Sequence, residues 1–123
     1  HVYEALDLEA MKKASQYFLG EHDFAGFMAS GSSVKTTVRT IYDVSLEKSG
    51  DLIEFQITGS GFLYNMVRII AGTLVEVGKG KIRPDDIKGI LESRDRTLAG
   101  ITAPAHGLYL VEVYYGSMTE KLE

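Results

Sequence analysis

Val34-Lys35-Thr36-Thr37-Val38-Arg39-Thr40-Ile41-Tyr42-Asp43-Val44-Ser45-Leu46-Glu47 is the part of the chain on which the fold turns. Val34, Val38, Tyr42, Val44 and Leu46 fall on one side of an extended backbone, and Lys35, Arg39, Asp43, Ser45 and Glu47 on the other. Alternation with a period of about 2 is the pattern of a strand that buries one face. Lys48-Ser49-Gly50-Asp51 supplies turn residues, after which Ile53, Phe55 and Ile57 resume the alternation. The two runs predict a β-hairpin with strands over 34–47 and 51–59.

Outward from the hairpin the period changes to that of a helix. Gly59-Ser60-Gly61 breaks the second strand, and a helix is expected over 62–77, with Leu63, Met66, Val67, Ile70, Leu74 and Val77 on one face. Lys79-Gly80-Lys81 ends it. A shorter helix is expected over 84–93. Pro84 loses nothing at a first helical position, and Asp85 and Asp86 suit the positive end of the dipole. Residues 94–107 read as irregular, and Tyr109, Val111, Val113 and Tyr115 mark a last strand over 108–115. Upstream, Leu8, Met11, Ser15 and Phe18 predict an amphipathic helix over 8–19. Asp7 is placed to cap it, Gly20 to close it, and Leu6 and Met11 to staple its start. Glu21-His22-Asp23 reads as turn chemistry beneath Phe24 and Phe27. The order α-β-β-α-α-β lacks the regular alternation of a doubly wound sheet. The expected class is α+β, an antiparallel-dominated sheet with helices packed on one face.

Composition bounds what such a fold does. The chain has 123 residues, 45% hydrophobic and 24% charged, which suits one domain over 1–123 with a real core. No run approaches ~18 apolar residues, so no membrane span is expected. The absence of cysteine excludes disulfides and thiolate metal sites and is compatible with a cytoplasmic setting. The first residue is His1, so an excised piece of a longer protein is expected, and Leu122-Glu123 reads as a vector remnant. A net charge of −4 weighs against a freestanding nucleic-acid binder, but the charge is unevenly spread. No acid lies between Phe24 and Tyr42, where Lys35 and Arg39 sit, and Arg68 is the sole charge between Phe55 and Val75. These segments either line one neutral-to-positive surface or are simply rich in core residues.

The common site motifs fail. His1, His22 and His106 have no metal-ligand spacing, Gly72 to Lys79 is no phosphate loop, and no serine or carboxylate pair has a matching partner. Arg68 stands out instead. On a helical wheel it lies roughly 100° or more from the apolar stripe, beside Asn65 and Gly72. Gly72 leaves room for another backbone to approach. A cation in the first turns of a helix opposes the dipole, and an anion brought from elsewhere would offset that. The competing reading is a surface arginine whose stem lies along the apolar face.

The run Gly59-Ser60-Gly61-Phe62-Leu63-Tyr64-Asn65-Met66-Val67-Arg68-Ile69-Ile70-Ala71-Gly72-Thr73-Leu74-Val75-Glu76-Val77-Gly78 resembles the segment G-x-G-F-L-Y-H-M-V-R-N-I-V-G-T-L-x-E-V-G of tRNA pseudouridine synthases of the TruA type. It departs from that pattern at Asn65 and Ile69. Three further stretches match in order: Gly20-Glu21-His22-Asp23-Phe24 with Phe27, Thr37-Val38-Arg39-Thr40-Ile41, and Ala99-Gly100-Ile101-Thr102-Ala103-Pro104-Ala105 leading to Gly107-Leu108-Tyr109-Leu110. The resemblance implies the C-terminal half of an enzyme that isomerises uridine to pseudouridine in the anticodon stem-loop of tRNA. It implies no cofactor and no essential metal. It also implies a nucleophilic aspartate on an N-terminal half outside this chain, an RNA cleft between the halves, a homodimer and a cytoplasmic location. Arg68 matches the arginine that pairs with that aspartate. Gly31, Ser32, Ser33, Val34 and Lys35 match a stretch that touches tRNA, Lys35 being suited to phosphate. Arg39 either belongs to that machinery or pairs with Asp43 or Glu47 on its own strand. Phe62 and Tyr64 are candidates for stacking on bases, with core packing the competing use of Phe62. The rival from another class is a non-enzymatic α+β ligand-binding or dimerisation module.

Overall fold

A computed structural model of the chain describes residues 6–29, 35–49, 52–102 and 111–115. The order is α1 (Leu8–Ser15), β1 (Gly20–Asp23), β2 (Val38–Ser49), β3 (Leu52–Gly59), α2 (Met66–Gly78), α3 (Ile87–Ser93) and β4 (Val111–Tyr115). Single 3₁₀ turns lie at Gln16–Phe18, Ala25–Phe27, Pro84–Asp86 and Arg96–Leu98. The strands form one sheet in the order β1-β2-β3-β4. β1 with β2 and β2 with β3 are antiparallel, and β3 with β4 is parallel. The sheet is thus mainly antiparallel, with one parallel pair at an edge. A parallel pair requires a crossover, and α2 and α3 lie in the sequence between its strands.

The hairpin forms where the alternation predicts it, but its phase changes. Ile41 pairs with Gly59, whereas Asp43 pairs with Thr58, so one extra residue enters β2 at a bulge. Beyond it Val44 and Leu46 are buried as expected; before it Ile41 faces the core at 2% exposure. Val38 and Tyr42, expected on the core face, are 40% and 56% exposed. The same shift brings Arg39 to the side of Ile41 and leaves Asp43 on the other.

Ile41, Val44, Leu46, Ile53, Phe55 and Ile57 share a single core with Met11, Ala14 and Phe18, with nearly every apolar residue of α2, and with Ile87, Ile90 and Leu91 of α3. The helices therefore cover one face of the sheet, while Asp43, Glu47 and Gln56 are exposed on the other. In α1 the Asp7 carboxylate accepts from the Ala10 N–H at 3.1 Å, as its sequence position predicts. The helix tightens into a 3₁₀ turn after Ser15, and the chain turns extended at Leu19. Leu6 and Met11 both reach Gly78. A Cβ there would lie 2.8 Å from Met11 Sδ and 3.2 Å from Leu6 Cβ, so α1 crosses α2 where α2 carries no side chain.

Glu21-His22-Asp23, read as a turn, makes up the last three residues of a four-residue edge strand. Four residues with two acids are too few and too polar for a period to register. Asp23 still makes the turn beyond it, accepting from Ala25 N–H at 3.0 Å and from the Thr37 hydroxyl at 2.6 Å. Among the described residues no helix is long and apolar enough to cross a membrane.

Candidate functional site

α2 starts later than its apolar pattern predicts, at Met66 rather than Phe62. Phe62 and Leu63 are both fully buried, yet they are core residues of the approach to the helix, not of the helix itself. Asn65 ends that approach in the left-handed region, φ 60°, and Met66 N–H closes on Leu63 O at 2.9 Å. The glycine turn before it is clamped onto β2. Ser60 N–H donates to Thr40 O at 2.8 Å, and Thr40 N–H donates to Ser60 Oγ at 3.0 Å. A Cβ on Gly59 would come within 2.9 Å of Thr40 O, which explains a glycine there.

Starting at Met66 makes Arg68 the third residue of the helix. Asn65 gives no side-chain cap, and the first turn carries no acid. The first-turn N–H groups and the guanidinium are thus concentrated positive charge with nothing negative in their own turn. The Arg68 side chain, partly buried, makes no hydrogen bond or ion pair to any described residue. Arg68 and Glu76 are the two residues of α2 that are not buried, and Glu76 Oε2 is itself a buried oxygen with no hydrogen-bond partner among the described residues. A helix apolar nearly all round is a core helix; its polar strip is confined to one line through Arg68, Gly72 and Glu76.

A second backbone lies against α2 at Gly72 and Thr73, and the glycine that its closeness requires is Gly100. A Cβ on Gly100 would lie 2.8 Å from Gly72 O and 2.6 Å from Thr73 Cα. The buried Thr73 hydroxyl donates to Ile69 O at 2.7 Å and accepts from Gly100 N–H at 2.8 Å. Arg96 holds the same segment from outside through Gly100 O at 2.8 Å and Thr102 Oγ1 at 3.2 Å.

The two acid-free segments meet around this helix start. Ala29 N–H donates to Tyr64 O at 3.1 Å, and the Arg39 stem lies over Gly61, its Nε 3.6 Å from where a Cβ would stand. Arg39 Nη1 donates to Thr36 O at 2.8 Å and to Val38 O at 2.9 Å. The bulge at Tyr42 removed Asp43 from its face, and sequence periodicity had no means of registering that. Lys35 is exposed. Gly31, Ser32, Ser33 and Val34 lie outside the described residues, as do Gly50 and Asp51 of the hairpin turn and residues 103–110. Of the two aromatic candidates, Phe62 is core and Tyr64 is 51% exposed.

A family model described as tRNA pseudouridine synthase matches residues 14–116. The chain is similar to tRNA pseudouridine synthase A of Acetivibrio thermocellus, 65% identical over 115 residues, covering 94% of this chain and 47% of the relative. It is similar to the protein of the same name from Thermoanaerobacter sp., 56% identical over 115 residues with the same coverage, 94% and 47%. The Bacillus subtilis protein of that name is 51% identical over 115 residues, again 94% of this chain and 47% of the relative. The chain spans about half the length of these curated relatives.

Proposed function

The chain belongs to the tRNA pseudouridine synthase family, and from that premise we propose that it is the C-terminal half of an enzyme converting uridine to pseudouridine in the anticodon stem-loop of tRNA. The observation that carries this reading is Arg68, a guanidinium without a partner among the described residues at the uncapped start of a core helix. Such a group is built to meet an anion. In this reading the anion is the nucleophilic aspartate of an N-terminal half, facing α2 across an RNA cleft. A guanidinium fork against a carboxylate holds it ionised and fixes its direction. The glycosidic bond of the target breaks, the uracil turns, and it is rejoined through carbon 5. Before that, the base must leave its stack.

Lys35 and the residues Gly31, Ser32, Ser33 and Val34 contribute phosphate and backbone contacts to the tRNA. Arg39 bonds the backbone at Thr36 and Val38 while its stem lies over the glycine turn before α2, which brings those described segments together. The enzyme works as a cytoplasmic homodimer without cofactor or metal. Incubating the chain with anticodon stem-loop RNA, alone and together with the remaining half of the polypeptide, tests the reading. No pseudouridine is expected from the chain alone, and product is expected from the two halves. Product from the chain alone places the nucleophile inside it; none from an RNA-binding pair of halves removes the proposed activity.

A further inference from the structure

The start of α2 sorts its side chains into two environments. Phe62, Leu63, Met66 and Val67 are fully buried, while Tyr64 between them is 51% exposed. Its exposure is not slack in the chain: Ala29 N–H holds the Tyr64 carbonyl, Asn65 at φ 60° turns the backbone, and Met66 N–H is bonded to Leu63 O. The ring therefore rises from a fixed base, and little ordering is left to be lost on binding. Its hydroxyl has no partner among the described residues, so no internal hydrogen bond explains its position. Arg68 follows four residues later, in the first turn of α2. About one helical turn beyond Arg68, the backbone of Gly100 lies against Gly72 and Thr73, and the next residue, Ile101, is 51% exposed. An exposed aromatic ring thus stands just before the helix that carries the guanidinium, and an exposed aliphatic side chain follows the segment that packs on that helix one turn further on.

Resting on the function proposed above, we propose that Tyr64 is a stacking platform for an unstacked nucleobase of the substrate RNA, the neighbour of the uridine turned toward Arg68, with Ile101 as the apolar wall on the other side. When a target base leaves its stack, the adjacent base loses a partner for one of its faces. An aromatic ring replaces that partner without reading sequence, because every base has a π-face. The phosphate contacts of the loop at Lys35 cannot supply this selectivity for opened RNA, since a duplex carries phosphates too.

The test uses the complete enzyme with Tyr64→Ala, Tyr64→Gln, Tyr64→Phe and Tyr64→His. Affinity is measured for anticodon stem-loop RNA and for a fully paired duplex of equal length, each over a range of salt. Tyr64→Ala and Tyr64→Gln are expected to weaken stem-loop binding roughly 5- to 150-fold. Duplex binding and the slope of log affinity against log salt stay unchanged, because no phosphate contact is lost. Tyr64→Phe and Tyr64→His, which keep a ring, remain within about threefold of the parent. Unaltered stem-loop binding by both Tyr64→Ala and Tyr64→Gln overturns the proposal. So does an equal loss on duplex, or a loss in Tyr64→Phe as large as in Tyr64→Ala. Pseudouridine formation by the parent enzyme separates the two readings. A parent that makes no product refutes the function itself, whereas an active parent with indifferent Tyr64 variants refutes only the stacking role.

Discussion

Thr73 and Gly100 meet inside the molecule at a spacing that leaves nothing to spare. The Thr73 hydroxyl is buried and spends both its capacities, one on Ile69 O and one on Gly100 N–H. A Cβ at Gly100 would stand 2.6 Å from Thr73 Cα and 2.7 Å from Thr73 N, backbone atoms that cannot rotate aside. Gly100→Ala is therefore expected to cost at least about 2 kcal/mol in urea unfolding, as overpacking does. Thr73→Val strands the Gly100 N–H and should cost about 1–3 kcal/mol, while Thr73→Ser keeps both bonds and loses only a methyl group. A Gly100→Ala chain as stable as its parent would contradict the close approach. The sequence pointed to Gly72 as the place where another backbone comes near; that the segment is the one at Gly100, and that Gly100 is the glycine its closeness requires, depended on a contact far along the chain, which no local pattern carries.

At the level of elements, the periodic parts of the chain were legible and the interruptions were not. The hairpin, α2 and α3 follow the hydrophobic repeat because burial rewards a side chain every second residue or every third and fourth. The bulge at Tyr42 inserts one residue without changing composition, so every side chain before it changes face unannounced. That is why Val38 and Tyr42 were expected inside and Ile41 was not. The buried Phe62 and Leu63 continue an apolar run into α2 although the backbone there is not helical, which is why the helix was expected four residues early. One tie between elements has a pH signature. The Asp85 carboxylate, before α3, accepts from the Tyr17 hydroxyl at 2.8 Å and lies 3.3 Å from Lys13 Nζ on α1. The Tyr17 bond first, and then Lys13, hold Asp85 below the usual carboxylate range. A depressed carboxylate contributes stability above its unfolded pKa of about 4 and loses it as pH falls through the folded value. Urea midpoints between pH 5 and 3 should fall more steeply for the parent than for Asp85→Asn, and parallel profiles would contradict the tie. The effect is small, since all three groups face solvent. For Tyr17 the sign reverses: its phenol is raised by the same bond, so that contribution holds below about pH 10 and is lost above.

Taken whole, the molecule is a sheet backed by helices, with one core helix that reaches its surface chiefly through Arg68. That residue was legible as the one charge in a long apolar run; its place in the first turn, the exposure of Tyr64 beside it and the Arg39 stem over Gly61 needed the three-dimensional fold. The claim that joins these features is that Arg68 serves an active site completed by another half of the polypeptide. Stranding one member of a buried ion pair costs on the order of 3–5 kcal/mol, so two to four orders of magnitude in rate are at stake. Single-turnover pseudouridine formation at saturating anticodon stem-loop RNA, with the complete enzyme carrying Arg68→Ala or Arg68→Lys, measures this directly. Arg68→Ala is expected to lose about two to four orders of magnitude in rate with RNA affinity much less changed, and Arg68→Lys to recover only part, because a point charge cannot reproduce the two-pronged contact. A near-normal rate for Arg68→Ala, or a loss confined to RNA binding, would contradict the claim and leave Arg68 an ordinary phosphate contact.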